Sequence, residues 1–251
     1  MTPLDLAFRA RPLAHRALHD IARGRPENSR AAVAAAIDAG YGIEIDIQPS
    51  ADNIAMVFHD AGLARLTHTT GPITARTARD LGQIPLKHGT EGIATLSEIL
   101  TLVAGRVPLL IEVKDQDGSL GPKIGALEEA VTRALHGYTG ATALMSFNPH
   151  SVGAMADLAP HVPRGLTTCA FTDIDWPKLS AVTRARLATI PDYISTRSSF
   201  VSHDHRDLDN PRLADLAQQG ADILCWTIRT PGQAAVARRI AQNITFEGLA
   251  A

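Results

Sequence analysis

Three short segments each end a run of apolar residues in charged side chains, and that pattern restricts the possible folds more than any other property of the chain. They are Gly42-Ile43-Glu44-Ile45-Asp46-Ile47, Ala55-Met56-Val57-Phe58-His59-Asp60 and Leu109-Leu110-Ile111-Glu112-Val113-Lys114. In a β-strand successive side chains point to opposite faces. Ile43, Ile45 and Ile47 therefore share one face, and Glu44 and Asp46 share the other. Likewise Leu109, Ile111 and Val113 lie opposite Glu112 and Lys114. Any one segment fits a half-wetted antiparallel strand equally well. The set, joined by His15 and His59, implies that carboxylates are being gathered. Such burial costs several kcal/mol, roughly, unless cations or donors compensate it.

Around these segments the pattern alternates strand and helix, which predicts a parallel sheet covered by helices. Asn28 or Ser29 can cap a helix over residues 30–39 that Gly40 closes. The strands at 42–48 and 54–59 follow with no helix between them, turning at Asp52-Asn53. Residues 61–107 are irregular apart from a helix-like Leu96 to Val103. After the strand at 108–114 come helices at 122–136, 149–158, 177–187, 211–219 and 231–241. They interleave with strands at 142–147, 163–168, 192–196, 222–228 and 243–246. With the short apolar entry Leu13-Ala14-His15, these make nine candidate strands, one more than the eight of a (β/α)8 barrel. The surplus falls on 243–246 or on one of the two strands lacking an intervening helix. An open doubly wound sheet is the alternative, but no G-x-G-x-x-G follows any strand.

At 251 residues the chain suits one large α/β barrel. Its net charge of −2, without a basic stripe, argues against nucleic-acid binding. Cys169 and Cys225 have neither metal-ligand nor disulfide spacing and read as buried thiols. There is no basic-then-apolar leader at Met1 to Leu6, and no apolar run of about 18 residues. A cytoplasmic enzyme without an integral membrane segment is the expectation.

In α/β barrels reactive groups stand at the carboxyl ends of the strands. His15, Glu44, Asp46, His59, Glu112 and Lys114 all take that place. Three carboxylates make a hard oxygen site for one divalent cation, Mg²⁺, Ca²⁺ or Mn²⁺. Arg16 and Lys114 would offset their charge and attract an anion. Arg16 is out of phase with His15 in a straight strand, so it reaches the site only if the strand bends or ends there. His15 and His59 can serve as general acid and base.

His15-Arg16, Pro26-Glu27-Asn28-Ser29, Glu44-Ile45-Asp46, Val57-Phe58-His59-Asp60 and Ile111-Glu112-Val113-Lys114 resemble, in order and spacing, the glycerophosphodiester phosphodiesterase family. The resemblance weakens through Ser146-Phe147-Asn148 and Leu224-Cys225-Trp226-Thr227. It implies a TIM-type barrel, one domain over 1–251, with a small subdomain inserted after the third strand at about 61–107. It also implies Glu44, Asp46 and Glu112 as metal ligands, His15 and His59 as the acid/base pair, and Arg16 and Lys114 at the phosphate. The implied reaction is hydrolysis of a small glycerophosphodiester to sn-glycerol 3-phosphate and an alcohol, through a cyclic phosphate. Lysophospholipase D-like activity and a non-catalytic phosphate-binding barrel are the alternatives. Two features depart from the family: Ala17 stands where Gly usually follows His-Arg, and Asn243 to Gly248 replaces a Thr-Asp-x-Pro ending. Ala17 is tolerable unless the position needs φ > 0.

Trp226, at a strand end, either lines the leaving-group pocket or packs in the core. Asp60 either holds His59 or is a turn residue, and Glu27 and Asn28 either orient a loop over the site or cap a helix. His203 and His205 read as a solvated loop, and nothing decides a partner for Glu247.

Overall fold

The computed structural model describes residues 1–249. In chain order its main elements are α1 (Ala7–Ala10), β1 (Leu13–Ala14), α2 (Arg30–Asp38), β2 (Gly42–Pro49), β3 (Ala55–Val57), α3 (Ala78–Gly82), α4 (Leu96–Val103), β4 (Leu109–Val113) and α5 (Ala126–Leu135). There follow β5 (Thr142–Ser146), α6 (Pro149–Leu158), β6 (Arg164–Thr168), α7 (Ala181–Ala188), β7 (Phe200–Asp204), α8 (Pro211–Gln218), β8 (Asp222–Ile228), α9 (Pro231–Ala237) and β9 (Asn243–Phe246).

Eight parallel strands close on themselves, because β1 pairs with both β2 and β9. The fold is a TIM barrel. The surplus strand is β3, which runs antiparallel to the far end of β2, with Ile47 opposite Val57 and Pro49 opposite Ala55. The 243–246 segment closes the barrel. Since β2 overshoots the rim and β3 returns along it, His59 is carried back to the level of Asp46, whose carbonyl accepts the Phe58 amide hydrogen at 2.9 Å.

Ile43, Ile45 and Ile47 pack outward with Leu109, Ile111 and Val113 into the main core beneath the helices. Glu44, Asp46 and Glu112 consequently face the lumen. Below them the lumen is apolar: Leu13, Leu110, Ala143, Met145, Phe200 and Leu224 meet Phe8 of α1, which covers the amino-terminal mouth. Gly165 makes room for Phe200; a Cβ there would lie 2.4 Å from its ring.

Some boundaries differ from the sequence expectation. Residues 192–196 form turns rather than a strand, because the Thr196 amide and hydroxyl both donate to the Asp192 carbonyl; the strand follows at Phe200–Asp204. Tyr193, buried in the core, supplied the misleading apolar signal. Pro177 precedes α7 by several residues, and Ser180 is the cap instead. α4, expected inside the insertion, packs beside α2 in the helical ring and opens on a Thr95–Glu98 capping box. Met56, Phe58, Leu63, Ile73, Leu81, Leu86 and Ile93 form an apolar cluster of their own, on β3 and the segment between it and α4.

Phe8 is fully buried whereas Leu6 is 71% exposed. Phe8→Ala should lower stability by about 3–5 kcal/mol. Leu6→Ala should stay within about 0.5 kcal/mol. Denaturant midpoints followed by circular dichroism would check both.

Candidate active site

A cavity of about 360 Å³ opens at the carboxyl end of the barrel. His15, Arg16, Glu44, Asp46, His59, Glu112, Lys114 and Trp226 all line it. The strand register explains the convergence. Asp46 lies beside Glu112 across the β2–β4 ladder, so two inward carboxylates meet on neighbouring strands. One ligand oxygen from each of Glu44, Asp46 and Glu112 lies within 4.8 Å of the others, and all three residues are buried.

Such a cluster needs cations. Lys114 Nζ donates to Glu112 at 2.6 Å and pairs with Asp46 at 2.9 Å. Arg16 Nε approaches Asp46 at 3.6 Å. Burial opposes the charge on Asp46, but Lys114, His59 and Arg16 outweigh it and hold the carboxyl far below the usual carboxylate range. Burial likewise opposes the Lys114 ammonium, yet Asp46 and Glu112 keep it firmly protonated. Glu44 is the exception. Burial and the charges of Asp46 and Glu112 raise its pKa well above the ordinary value, although the Arg16 amide donates to it at 2.9 Å. The three carboxylates offer only oxygen ligands, and that donor set fits one hard divalent ion.

Arg16 reaches this cluster because β1 ends before it. Its φ is +52° and that of Ala17 is +63°. Left-handed backbone is the conformation Gly tolerates best, so the missing Gly at 17 falls where it has a conformational cost. Asn28, also left-handed at +58°, is not the cap of α2; Ser29 is. Asn28 is buried, its Nδ2 donates to Asp46 at 2.9 Å, and its Oδ1 accepts the Asp46 amide at 3.3 Å.

Each histidine has a carboxylate at Nδ1. His59 Nδ1 lies 2.7 Å from Asp60, and His15 Nδ1 lies 3.3 Å from Glu247. Asp60 is therefore more than a turn residue. Arg65, which sequence reasoning missed, donates to Asp60 through Nε and Nη2 and to Glu27 through Nη1 and Nη2. Glu27 in turn accepts from Arg16 at 2.8 Å. No periodicity marked Arg65, since it lies in the irregular insertion. The only available signal was a basic residue shortly after His59-Asp60.

The opposite wall is aromatic. Phe147 packs against Trp176 and Trp226 with ring centroids 4.9 and 5.6 Å apart, and Trp226 Nε1 donates to the Ser202 carbonyl. Asp204, His205 and Arg206 also line the cavity, and Arg206 holds the Asp204 carboxylate through Nε and Nη2. His203 corrects the solvated-loop expectation. It is fully buried on β7, with Nδ1 2.7 Å from Thr168 Oγ1 and Nε2 3.1 Å from Asp207 Oδ2, which ties β7 to its neighbours.

A TIM barrel with acidic and histidine side chains at its carboxyl mouth belongs to a large class of barrel enzymes. The Glycerophosphoryl diester phosphodiesterase family matches residues 15–245. A Bacillus subtilis protein provisionally named glycerophosphodiester phosphodiesterase, YhdW, is 25% identical over 233 residues, covering 89% of this chain and 88% of that protein. An Oleispira antarctica phosphodiesterase, solved with its product sn-glycerol 3-phosphate, superposes with a TM-score of 0.75 at 22% identity, covering 94% of this chain and 92% of that one. A Thermotoga maritima glycerophosphodiester phosphodiesterase superposes with a TM-score of 0.70 at 20% identity, over 93% and 92% of the two chains. The chain belongs to the glycerophosphodiester phosphodiesterase family and is an enzyme of that kind.

Among the described residues, no helix is long and apolar enough to cross a membrane.

The hydrogen bond from His15 and the Arg229 charge, against the opposing effect of burial, bring the Glu247 carboxyl down to about 2. Burial opposes the Asp60 charge too, but His59 and Arg65 take that carboxyl below its ordinary 3.8. Both groups ionise lower in the folded than in the unfolded chain. The stability they add is present above about pH 4.5 and lost as pH falls toward 2. The melting temperature should drop across that interval, and drop less in the Asp60→Asn/Glu247→Gln double variant.

Proposed function

We propose that the protein hydrolyses small soluble glycerophosphodiesters to sn-glycerol 3-phosphate and an alcohol, with one divalent cation held by Glu44, Asp46 and Glu112. The observation that carries this reading is the convergence of three buried carboxylates with two carboxylate-held histidines in one cavity. The cavity is of a size for a small ligand. The product bound by the Oleispira antarctica phosphodiesterase supports the same product here.

The cation, when bound, would polarise the phosphoryl group and stabilise charge building on phosphorus. The remaining work belongs to side chains. Arg16 Nε is buried and without a hydrogen-bond acceptor among the described residues, which suits it to a phosphate oxygen. Lys114 adds a fixed positive charge beside it. Nε2 of His15 and of His59 has no protein partner among the described residues, so each ring is free to exchange a proton with substrate. One histidine removes the proton of the glycerol hydroxyl next to the phosphate. That oxygen bonds to phosphorus, the bond to the leaving oxygen breaks, and the other histidine protonates the departing alcohol. Water then opens the cyclic phosphate with the roles reversed. Trp226 and Phe147 form the apolar wall against which the organic part of the substrate rests.

EDTA should abolish release of glycerol 3-phosphate from glycerophosphocholine or glycerophosphoethanolamine, and Mg²⁺, Mn²⁺ or Ca²⁺ should restore it. His59→Ala should keep its affinity for the cation by calorimetry while losing turnover on the order of 10²-fold or more. Absence of turnover on every phosphodiester, with metal supplied, would favour a binding protein instead. Equal loss of metal and turnover in His59→Ala would make His59 a ligand.

A further inference from the structure

We infer that Glu247, clamped by Arg229, is the positioning residue for His15; this rests on the acid/base role proposed above. The barrel register puts the two side by side. Parallel β1 and β9 pair Ala14 with Phe246, and the His15 amide donates to the Phe246 carbonyl at 2.9 Å. The next residue on each strand, His15 and Glu247, therefore stands side by side at the rim. The Glu247 amide is fixed in turn by the Ile228 carbonyl at 2.9 Å.

The carboxylate is held in place and charged. Arg229 Nη2 donates to Glu247 Oε2 at 2.7 Å, the same oxygen that lies 3.3 Å from His15 Nδ1, while His19 Nε2 lies 3.7 Å from Oε1. A carboxylate accepts only, so the bond requires a proton on His15 Nδ1. That sets the tautomer, leaves the Nε2 lone pair for the reaction, and stabilises the ring once it has taken a proton. The arrangement repeats, from unrelated sequence, what the structure builds around the other histidine. There Asp60 meets His59 Nδ1 at 2.7 Å and Arg65 holds Asp60. Glu247 lies in the segment that departs from the family's usual ending, so the motifs that identify the family do not point to it.

The test uses the full chain. With divalent metal and glycerophosphocholine, Glu247→Ala should lower kcat on the order of tenfold or more while leaving KM and the affinity for glycerol 3-phosphate unchanged. Glu247→Gln, whose amide oxygen can still accept from Nδ1, should recover part of that loss. Wild-type kcat in Glu247→Ala, or a loss confined to KM, overturns the inference. Ring-nitrogen NMR of the wild-type protein, with the His15 resonances assigned by His15→Gln, gives a readout that needs neither turnover nor a folded Glu247 variant. A neutral His15 protonated at Nδ1 supports the inference, and one protonated at Nε2 overturns it. If the wild type hydrolyses no glycerophosphodiester, the proposed function fails, and the NMR result still decides where Glu247 holds the ring.

Discussion

Three carboxylates are buried in the barrel lumen, and the architecture of the mouth follows from the need to neutralise them. Uncompensated, each would cost several kcal/mol, roughly. The chain answers with Lys114 between Asp46 and Glu112, with the Arg16 amide on Glu44, and with Asn28 on Asp46. Those donors come from different loops, so the charge in the lumen dictates the path of the backbone above it. Arg16, Ala17 and Asn28 all sit in left-handed conformations beside the cluster. At about 1–2 kcal/mol each for the non-glycine residues, that strain persists because the surrounding hydrogen bonds over-determine it.

The inserted subdomain joins the same network. From His59 the contacts run to Asp60, then Arg65, then Glu27, then Arg16, and return to Asp46. Arg65 is thus the point where an insertion with its own apolar cluster is bonded to the barrel's charged centre. A side chain that holds two carboxylates at once fixes the separation between His59 and Arg16. In the proposed reaction one of those groups transfers a proton and the other holds the phosphate.

Much of this was legible in the sequence, because it follows from period two. Alternation alone assigns Glu44, Asp46 and Glu112 to the lumen and Ile43, Ile45 and Ile47 to the outer core. The β2–β3 turn at Asp52-Asn53 is equally local. What escaped depends on contacts between segments far apart. Whether Arg16 joins the site depends on where β1 stops, and the position of Glu247 depends on β1–β9 register. Arg65 depends on the fold of an insertion without periodicity. The strand misplaced at 192–196 shows the same limit from the other side: Tyr193 is buried like a strand residue, but its backbone bonds stay within a turn.

The two histidines share one design and differ in surroundings. His15 is 15% exposed and lies beside Arg16, and burial foremost pulls its pKa below 6.5, against the hydrogen bond to Glu247. His59 is 29% exposed, and its Asp60 is bound twice by an arginine of the insertion. Acid/base work needs one ring to start without its extra proton and the other to start with it. Burial beside a guanidinium favours the neutral form of His15. A carboxylate at Nδ1 thus recurs in two unlike surroundings, which is the difference that the proposed pair of histidines asks for.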